Sequence, residues 1–168
     1  ELDEAIRLFA AALEIDDSHP FVWMGAGDAL QRAGRYEEAV QAFQTVLALD
    51  PDSFKARYNL GVTYSNMRRE EEALAIYAEA PELAPKHPEA PAARNNLGAM
   101  LLARGEKDAA LEHFEAARKA APFNLESRYN AAILYLEKGR SEDAIVLLEE
   151  AAKLEPNHEQ VNLRLGLA

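Results

Sequence analysis

A long internal beat constrains this chain more than any single motif. Ala39, Ala73, Ala110 and Ala144 are spaced by 34, 37 and 34 residues, and Pro51, Pro85, Pro122 and Pro156 keep the same intervals. Between them run Phe43, Tyr77, Phe114 and Leu148, with an earlier small-residue slot at Gly27, Gly61, Gly98 and Ala132. A period of this size marks stacked supersecondary units, none of which buries its apolar stripe alone. Each period predicts two helices. The first carries apolar residues at helical spacing, as in Tyr58, Leu60, Val62 and Tyr64, and stops near Gly34, Gly105 or Gly139, where glycine relieves a left-handed turn. The second opens on acids such as Glu37-Glu38, Glu70-Glu71-Glu72 or Glu142-Asp143, which favour the positive end of the helix dipole, and stops at the recurrent proline. His19, Ser53, His87, Asn124 and His158 fall in the turn that follows, placed to cap the next helix. Gly61 facing Ala73 is expected to bring the paired helices close, with Tyr64 and Tyr77 filling the remaining space.

Composition narrows the chemistry. The 168 residues include 29 acids and 18 bases, a formal charge of −11, and 49% are apolar, which fits one domain with a buried core and a solvated surface. Without a basic run, phosphate neutralisation has no footing, and nucleic acid is not expected as a partner. No apolar stretch approaches the roughly 20 residues that span a bilayer, so direct membrane insertion is not expected. The absence of cysteine removes disulfides, thiolate zinc sites and a cysteine nucleophile. It leaves the compartment open, with cytoplasm ahead of periplasm. Glu1 to Arg7 lack the features of an export signal, while the opening on Glu1 rather than Met leaves room for an upstream segment. His19, His87 and His158 occupy equivalent turns along the array, and His113 stands alone, so no metal set is expected. Gly25-Ala26-Gly27 lies inside a helix with no preceding strand, which removes the phosphate-cradle reading. Acid pairs at helix starts are explained by the dipole. No catalytic, cofactor-binding or metal-binding residue is assigned, and the chain is expected not to be an enzyme.

Trp23, Gly27, Ala39, Phe43 and Pro51, then Leu60, Gly61, Tyr64, Ala73, Tyr77, Ala80 and Pro85, resemble the tetratricopeptide repeat pattern, and the resemblance covers essentially the whole chain. It implies an all-α, right-handed solenoid of antiparallel helix pairs. The boundaries read as a partial repeat at 1–17, full repeats at 20–53, 54–87, 91–124 and 125–158, and a partial repeat at 159–168. Starting and stopping in mid-repeat implies a longer parent array. The one break in register is the insertion at 88–90, with Pro81 already interrupting the preceding helix, which is expected to end early or kink near Ala80. Residues 81–91 read first as a tolerated packing irregularity, with a hinge or an extra partner contact as the alternative.

The same resemblance places function on the concave face made by the first helices. Helical spacing puts Phe21, Met24, Gly25 and Asp28 there, then Lys55, Tyr58, Asn59 and Val62, then Ala92, Asn95, Asn96 and Ala99. Glu126, Tyr129, Asn130 and Ile133 follow, then Gln160, Leu163, Arg164 and Leu167. Asp28 and Glu126 offset Lys55 and Arg164 in this set, so most of the negative charge lies elsewhere. Asn59, Asn96 and Asn130 recur in register and are expected to form a ladder whose amides donate to and accept from a peptide backbone. With inner helices about 8–10 Å apart and an extended chain rising ~3.3 Å per residue, one asparagine meets roughly every third ligand residue. The ladder is similar to that of O-linked N-acetylglucosamine transferases. Lys55, Asn59 and Asn66 resemble part of the groove of the peroxisomal targeting-signal receptor, whereas a chaperone-type carboxylate clamp finds only Asn130 and Arg164. The expected function is a non-catalytic scaffold holding a peptide segment of a protein partner. The alternative is a self-assembly module, pairing through uncovered Leu2, Leu8, Leu163 and Leu165, or a substrate-recruiting domain of a larger enzyme.

Overall fold

The computed structural model describes residues 1–167, Leu167 by its backbone alone, so the expectations placed on the Leu167 side chain and on Ala168 lie outside it. Among the described residues every regular element is helical and there is no strand. In chain order they are α1 (Leu2–Ile15), α2 (Pro20–Arg32), α3 (Tyr36–Leu49), α4 (Phe54–Asn66) and α5 (Glu70–Leu83), then α6 (Ala90–Ala103), α7 (Lys107–Ala120), α8 (Leu125–Glu137), α9 (Ser141–Leu154) and α10 (Glu159–Leu167). They fall into two compact units, residues 1–89 and 90–168. Within each unit every helix packs on the next in sequence, and the first helices of successive repeats also touch, α2 on α4 and α6 on α8.

The turn inside each repeat is three residues long and is a helix stop of one design. Arg35 N–H donates to the Leu30 carbonyl at 2.9 Å and Gly34 N–H to that of Gln31 at 3.0 Å, the paired bonds that close a helix over a left-handed residue. Gly34, Gly105 and Gly139 hold φ of 75°, 82° and 70°, as their spacing predicts. In the second repeat the slot belongs to Arg68, at φ 58°, and the same bonds form from Arg69 to Tyr64 and from Arg68 to Ser65.

The core sits at the repeated positions. Ala39, Phe43, Ala73 and Tyr77 in the first unit, and Ala110, Phe114, Ala144 and Leu148 in the second, are at most 2% exposed. The small-residue slot lies against the aromatic ring of the paired helix. A Cβ on Gly61 would lie 2.8 Å from the Tyr77 ring, one on Gly27 2.5 Å from Phe43, and one on Gly98 2.8 Å from Phe114. At Gly61 the three atoms nearest such a Cβ all belong to Tyr77, the ring expected to fill the space beside the Gly61–Ala73 approach, and at the equivalent Gly98 the carbonyl of the recurrent Ala110 also lies within 3.2 Å. Where the ring gives way to Leu148, the slot tolerates the Cβ of Ala132, and both residues are fully buried.

Capping follows the expectation at two positions. Asn124 Oδ1 accepts the Ser127 N–H at 2.8 Å and His158 Nδ1 accepts that of Val161 at 3.3 Å. His19 and Ser53 make no side-chain cap bond. His87 turns elsewhere, accepting the Glu89 N–H at 3.2 Å and stacking on Phe54 at 4.1 Å.

The early stop expected near Ala80 does not occur. α5 runs to Leu83 and is 14 residues long, like α3, α7 and α9. Pro81 is buried and lies within the last turn, so its missing N–H removes one hydrogen bond where few remain to be made, and Ala84 N–H still reaches the Ala80 carbonyl at 3.2 Å. The three inserted residues are shared out. α6 is 14 residues against 13 for α2, α4 and α8, and the turn before it, 84–89, takes the rest. Pro91 stands second in α6, in the first turn, where no intrahelical donor is needed.

Candidate functional site

The first helices of the first unit carry Lys55, Tyr58, Asn59 and Asn66 on α4 beside Met24 and Asp28 on α2. Asn59 Nδ2 donates to Asp28 Oδ1 at 2.6 Å and lies 4.0 Å from the Met24 sulfur, while Lys55 Nζ reaches Asp28 Oδ2 at 3.4 Å. Asp28 thus holds both an amide and an ammonium in place, and the pair of inner charges is neutralised at the surface. A second polar tie runs one turn further along: Gln31 Nε2 donates to Thr63 Oγ1 at 2.9 Å, and the Thr63 hydroxyl donates to the Asn59 carbonyl at 2.7 Å. Gln31 and Thr63 escaped sequence reasoning because neither repeats with the period. Thr63 is fully buried, and the two bonds satisfy its hydroxyl as donor and as acceptor. Tyr58 is half-buried, its ring 6.4 Å from Phe54 and 6.1 Å from Tyr77, so one edge joins the core and the other is open. Asn66 is exposed at the last residue of α4, and Phe21 at the start of α2 is 84% exposed. The Gly25 position is covered, since a Cβ there would lie 2.5 Å from the Phe9 ring.

In the second unit Asn130 Nδ2 donates to Asn95 Oδ1 at 3.2 Å, so α6 and α8 are tied by an amide pair. The partner is Asn95, which stands at the repeat position of Met24, rather than the in-register Asn96. Asn96 is half-buried and makes no side-chain hydrogen bond among the described residues. Tyr129 is half-buried with His158 at 6.3 Å, and Arg164 on α10 is exposed. The site residues therefore form two groups, Lys55, Tyr58, Asn59 and Asn66 in one unit and Asn95, Asn96, Tyr129, Asn130 and Arg164 in the other. Asn59 and Asn130 each commit a donor within the protein and keep the side-chain carbonyl free to accept from an outside N–H.

On the opposite helices, Glu115 is the most connected carboxylate. Burial works against its charge, but the Arg118 guanidinium at 2.7 Å, the Tyr135 hydroxyl at 3.1 Å and Lys119 outweigh that cost and hold the carboxyl below the usual range. Desolvation and the Glu115 charge push the Tyr135 phenol up. No group of three or more His, Asp or Glu among the described residues is placed to hold a metal ion, and no described helix is long and apolar enough to cross a membrane.

The comparisons with known proteins bear on family and fold. The tetratricopeptide repeat family matches residues 1–45, 30–97 and 101–166. The chain is 28% identical to mouse protein O-mannosyl-transferase TMTC3 over 160 residues, 95% of this chain and 15% of that protein. It is 39% identical over 67 residues to the peroxisomal targeting signal receptor of Candida glabrata, 40% of this chain and 11% of the receptor. It thus spans only a small part of both curated relatives. Among solved structures, MamA superposes with a TM-score of 0.81 at 22% identity, covering 95% of this chain and 91% of that one. YrrB, described as a repeat protein with an unusual peptide-binding site, superposes at 0.75 with 28% identity over 99% of this chain and 84% of that one. The fold class is therefore the all-α solenoid of antiparallel helix pairs that the period implied. This fold is typical of protein-protein interaction scaffolds, generally non-catalytic, that bind protein or peptide partners. From the period to the superpositions, the observations converge: the chain belongs to the tetratricopeptide repeat family.

Proposed function

We propose that this chain is a non-catalytic scaffold that holds a peptide segment of a protein partner along its first-helix face. The observation that carries the reading is the state of the asparagines. Asn59 and Asn130 are fixed by intramolecular bonds through their donors, so their side-chain carbonyls are pre-oriented acceptors that cost little entropy to use, while Asn96 retains both functions. In the first unit the half-buried ring of Tyr58 offers an apolar wall for ligand side chains, and in the second Tyr129 offers another and Arg164 a positive charge. The likeness to YrrB and to the peroxisomal targeting signal receptor supports a peptide as the ligand class. Panning a displayed peptide library on the chain, followed by calorimetry, tests it. Asn96→Ala combined with Asn130→Ala is expected to weaken the selected peptide by about tenfold or more with helicity unchanged. Equal affinity would remove the groove reading.

One observation favours a second reading. Leu8 on α1 and Leu163 on α10 are 64% and 62% exposed, so copies pairing through these helices would bury them. Light scattering across a concentration series separates the two, a constant monomer mass eliminating self-assembly. The likeness to a transferase over a small part of its length fits a recruiting role beside a catalytic domain.

A further inference from the structure

The side of the first unit formed by α1 and α3 contains a cavity of about 490 Å³ whose walls include Ile6, Ala10, Leu13, Trp23 and Leu30. Its size is that of a ligand pocket. The other copies of the repeat show what side chains this groove takes. In the second repeat Tyr64 stands in the groove between successive second helices, accepting a hydrogen bond from Gln44 at 3.3 Å, with the Arg69 guanidinium 4.6 Å above its ring. Arg69 is held there by Glu72 at 2.6 Å. The fourth repeat repeats the device: Tyr135 donates to Glu115 at 3.1 Å, Arg140 lies 4.3 Å above the ring, and Asp143 holds Arg140 at 2.7 Å. The corresponding groove of the second unit accordingly has Tyr135 and Glu115 themselves among its walls.

One period before Gln44, Tyr64, Arg69 and Glu72 stand Ala10, Leu30, Arg35 and Glu38. The arginine and its carboxylate are already in the same posture, Arg35 Nε donating to Glu38 Oε1 at 2.6 Å, and both line the cavity. The ring and its polar partner are replaced here by Leu30 and Ala10, which line the cavity beside Arg35 and Glu38. We propose that this cavity binds a tyrosine side chain carried on a basic segment of a partner protein. The ring enters between Leu30 and Trp23 beneath Arg35, where an aromatic face gains both apolar burial and a cation above it. Gln41 and Glu14 at the rim supply the polar partners that Gln44 and Glu115 supply to the built-in rings. Glu14 and Asp17 add carboxylates to that rim, while Glu38 is neutralised by Arg35. On a chain of charge −11 the flanking residues that complement the rim are lysine and arginine. The site lies between α1, α2 and α3 and does not include Asn59, so it stands independently of the first-helix reading.

Trp23 is the only tryptophan and forms part of the wall, so its fluorescence responds to occupancy of this cavity. The probe is a capped pentapeptide of one tyrosine with two lysines on each side. A saturable change in tryptophan emission is expected, with affinity falling at least tenfold when the peptide's tyrosine is replaced by alanine or its lysines by glutamate. Ala10→Gln with Leu30→Tyr installs the protein's own version of the ring pair and is expected to abolish binding, with circular dichroism and the unfolding midpoint establishing that the variant folds. The proposal is overturned by equal affinity for the alanine peptide, by undiminished binding to the filled variant, or by no saturable change up to millimolar peptide. The peptide substitutions decide the matter even where the filled variant does not fold.

Discussion

Gly61 and Arg68 show how single positions carry the repeat. A Cβ on Gly61 would press into the Tyr77 ring at 2.8 Å, and that ring is only 2% exposed and has little room to move. Gly61→Ala is therefore expected to destabilise the chain by about 1–3 kcal/mol in urea unfolding, the usual cost of overpacking. Arg68 is the mirror case. Its φ of 58° is a conformation that L side chains adopt at a cost, in a slot where the other repeats use glycine. Arg68→Gly is expected to stabilise by about 0.5–1 kcal/mol, since relief of strain outweighs the entropy glycine adds to the unfolded chain. An unchanged or lowered midpoint would mean that the arginine side chain contributes more than its backbone costs.

At the scale of the element, the helices differ in how their ends are secured. α8 is closed by the Asn124 side chain, and Asn124→Ala is expected to cost about 1 kcal/mol in thermal or urea unfolding. The α7–α8 contact carries a pH signature through Glu115. Its carboxyl is held below the usual range in the folded chain, so its contribution is present above the unfolded pKa and is lost as pH falls through the folded one. The stability difference between the native chain and Glu115→Gln is thus expected to be constant near neutrality and to shrink below about pH 4, read from urea midpoints across pH. α5 teaches a separate lesson. Pro81 predicts that α5 ends early or kinks near Ala80, yet the helix runs on to Leu83, since the proline removes a single N–H donor within the final turn and its ring is buried there. Hydrogen exchange over residues 78–92, with and without a bound peptide, distinguishes a static irregularity from a hinge: strong protection in both states removes the hinge.

For the whole molecule, charge is the dominant collective property. The excess of 29 acids over 18 bases loads the folded chain with like charge, whereas many of its ion pairs are exposed contacts three residues apart along one helix, such as Arg35–Glu38 and Arg69–Glu72, which are worth little. Raising salt to about 0.5 M is therefore expected to increase the urea midpoint, because screening relieves more repulsion than attraction. A decrease would show that the local pairs outweigh the net charge. The period alone determined the helical class, the alternation of paired helices, the buried positions and three of the four left-handed turns, because each depends on interactions among residues close in sequence or one repeat away. What only the tertiary structure decided are the contacts that break the period: the bond of Asn130 to Asn95 instead of an in-register partner, the anchoring of Asn59 by Asp28, and the cavity that Leu30 and Ala10 line beside Arg35. A repeating sequence specifies what is common to its copies, while the place where one copy differs acquires meaning only when side chains from neighbouring helices meet in space.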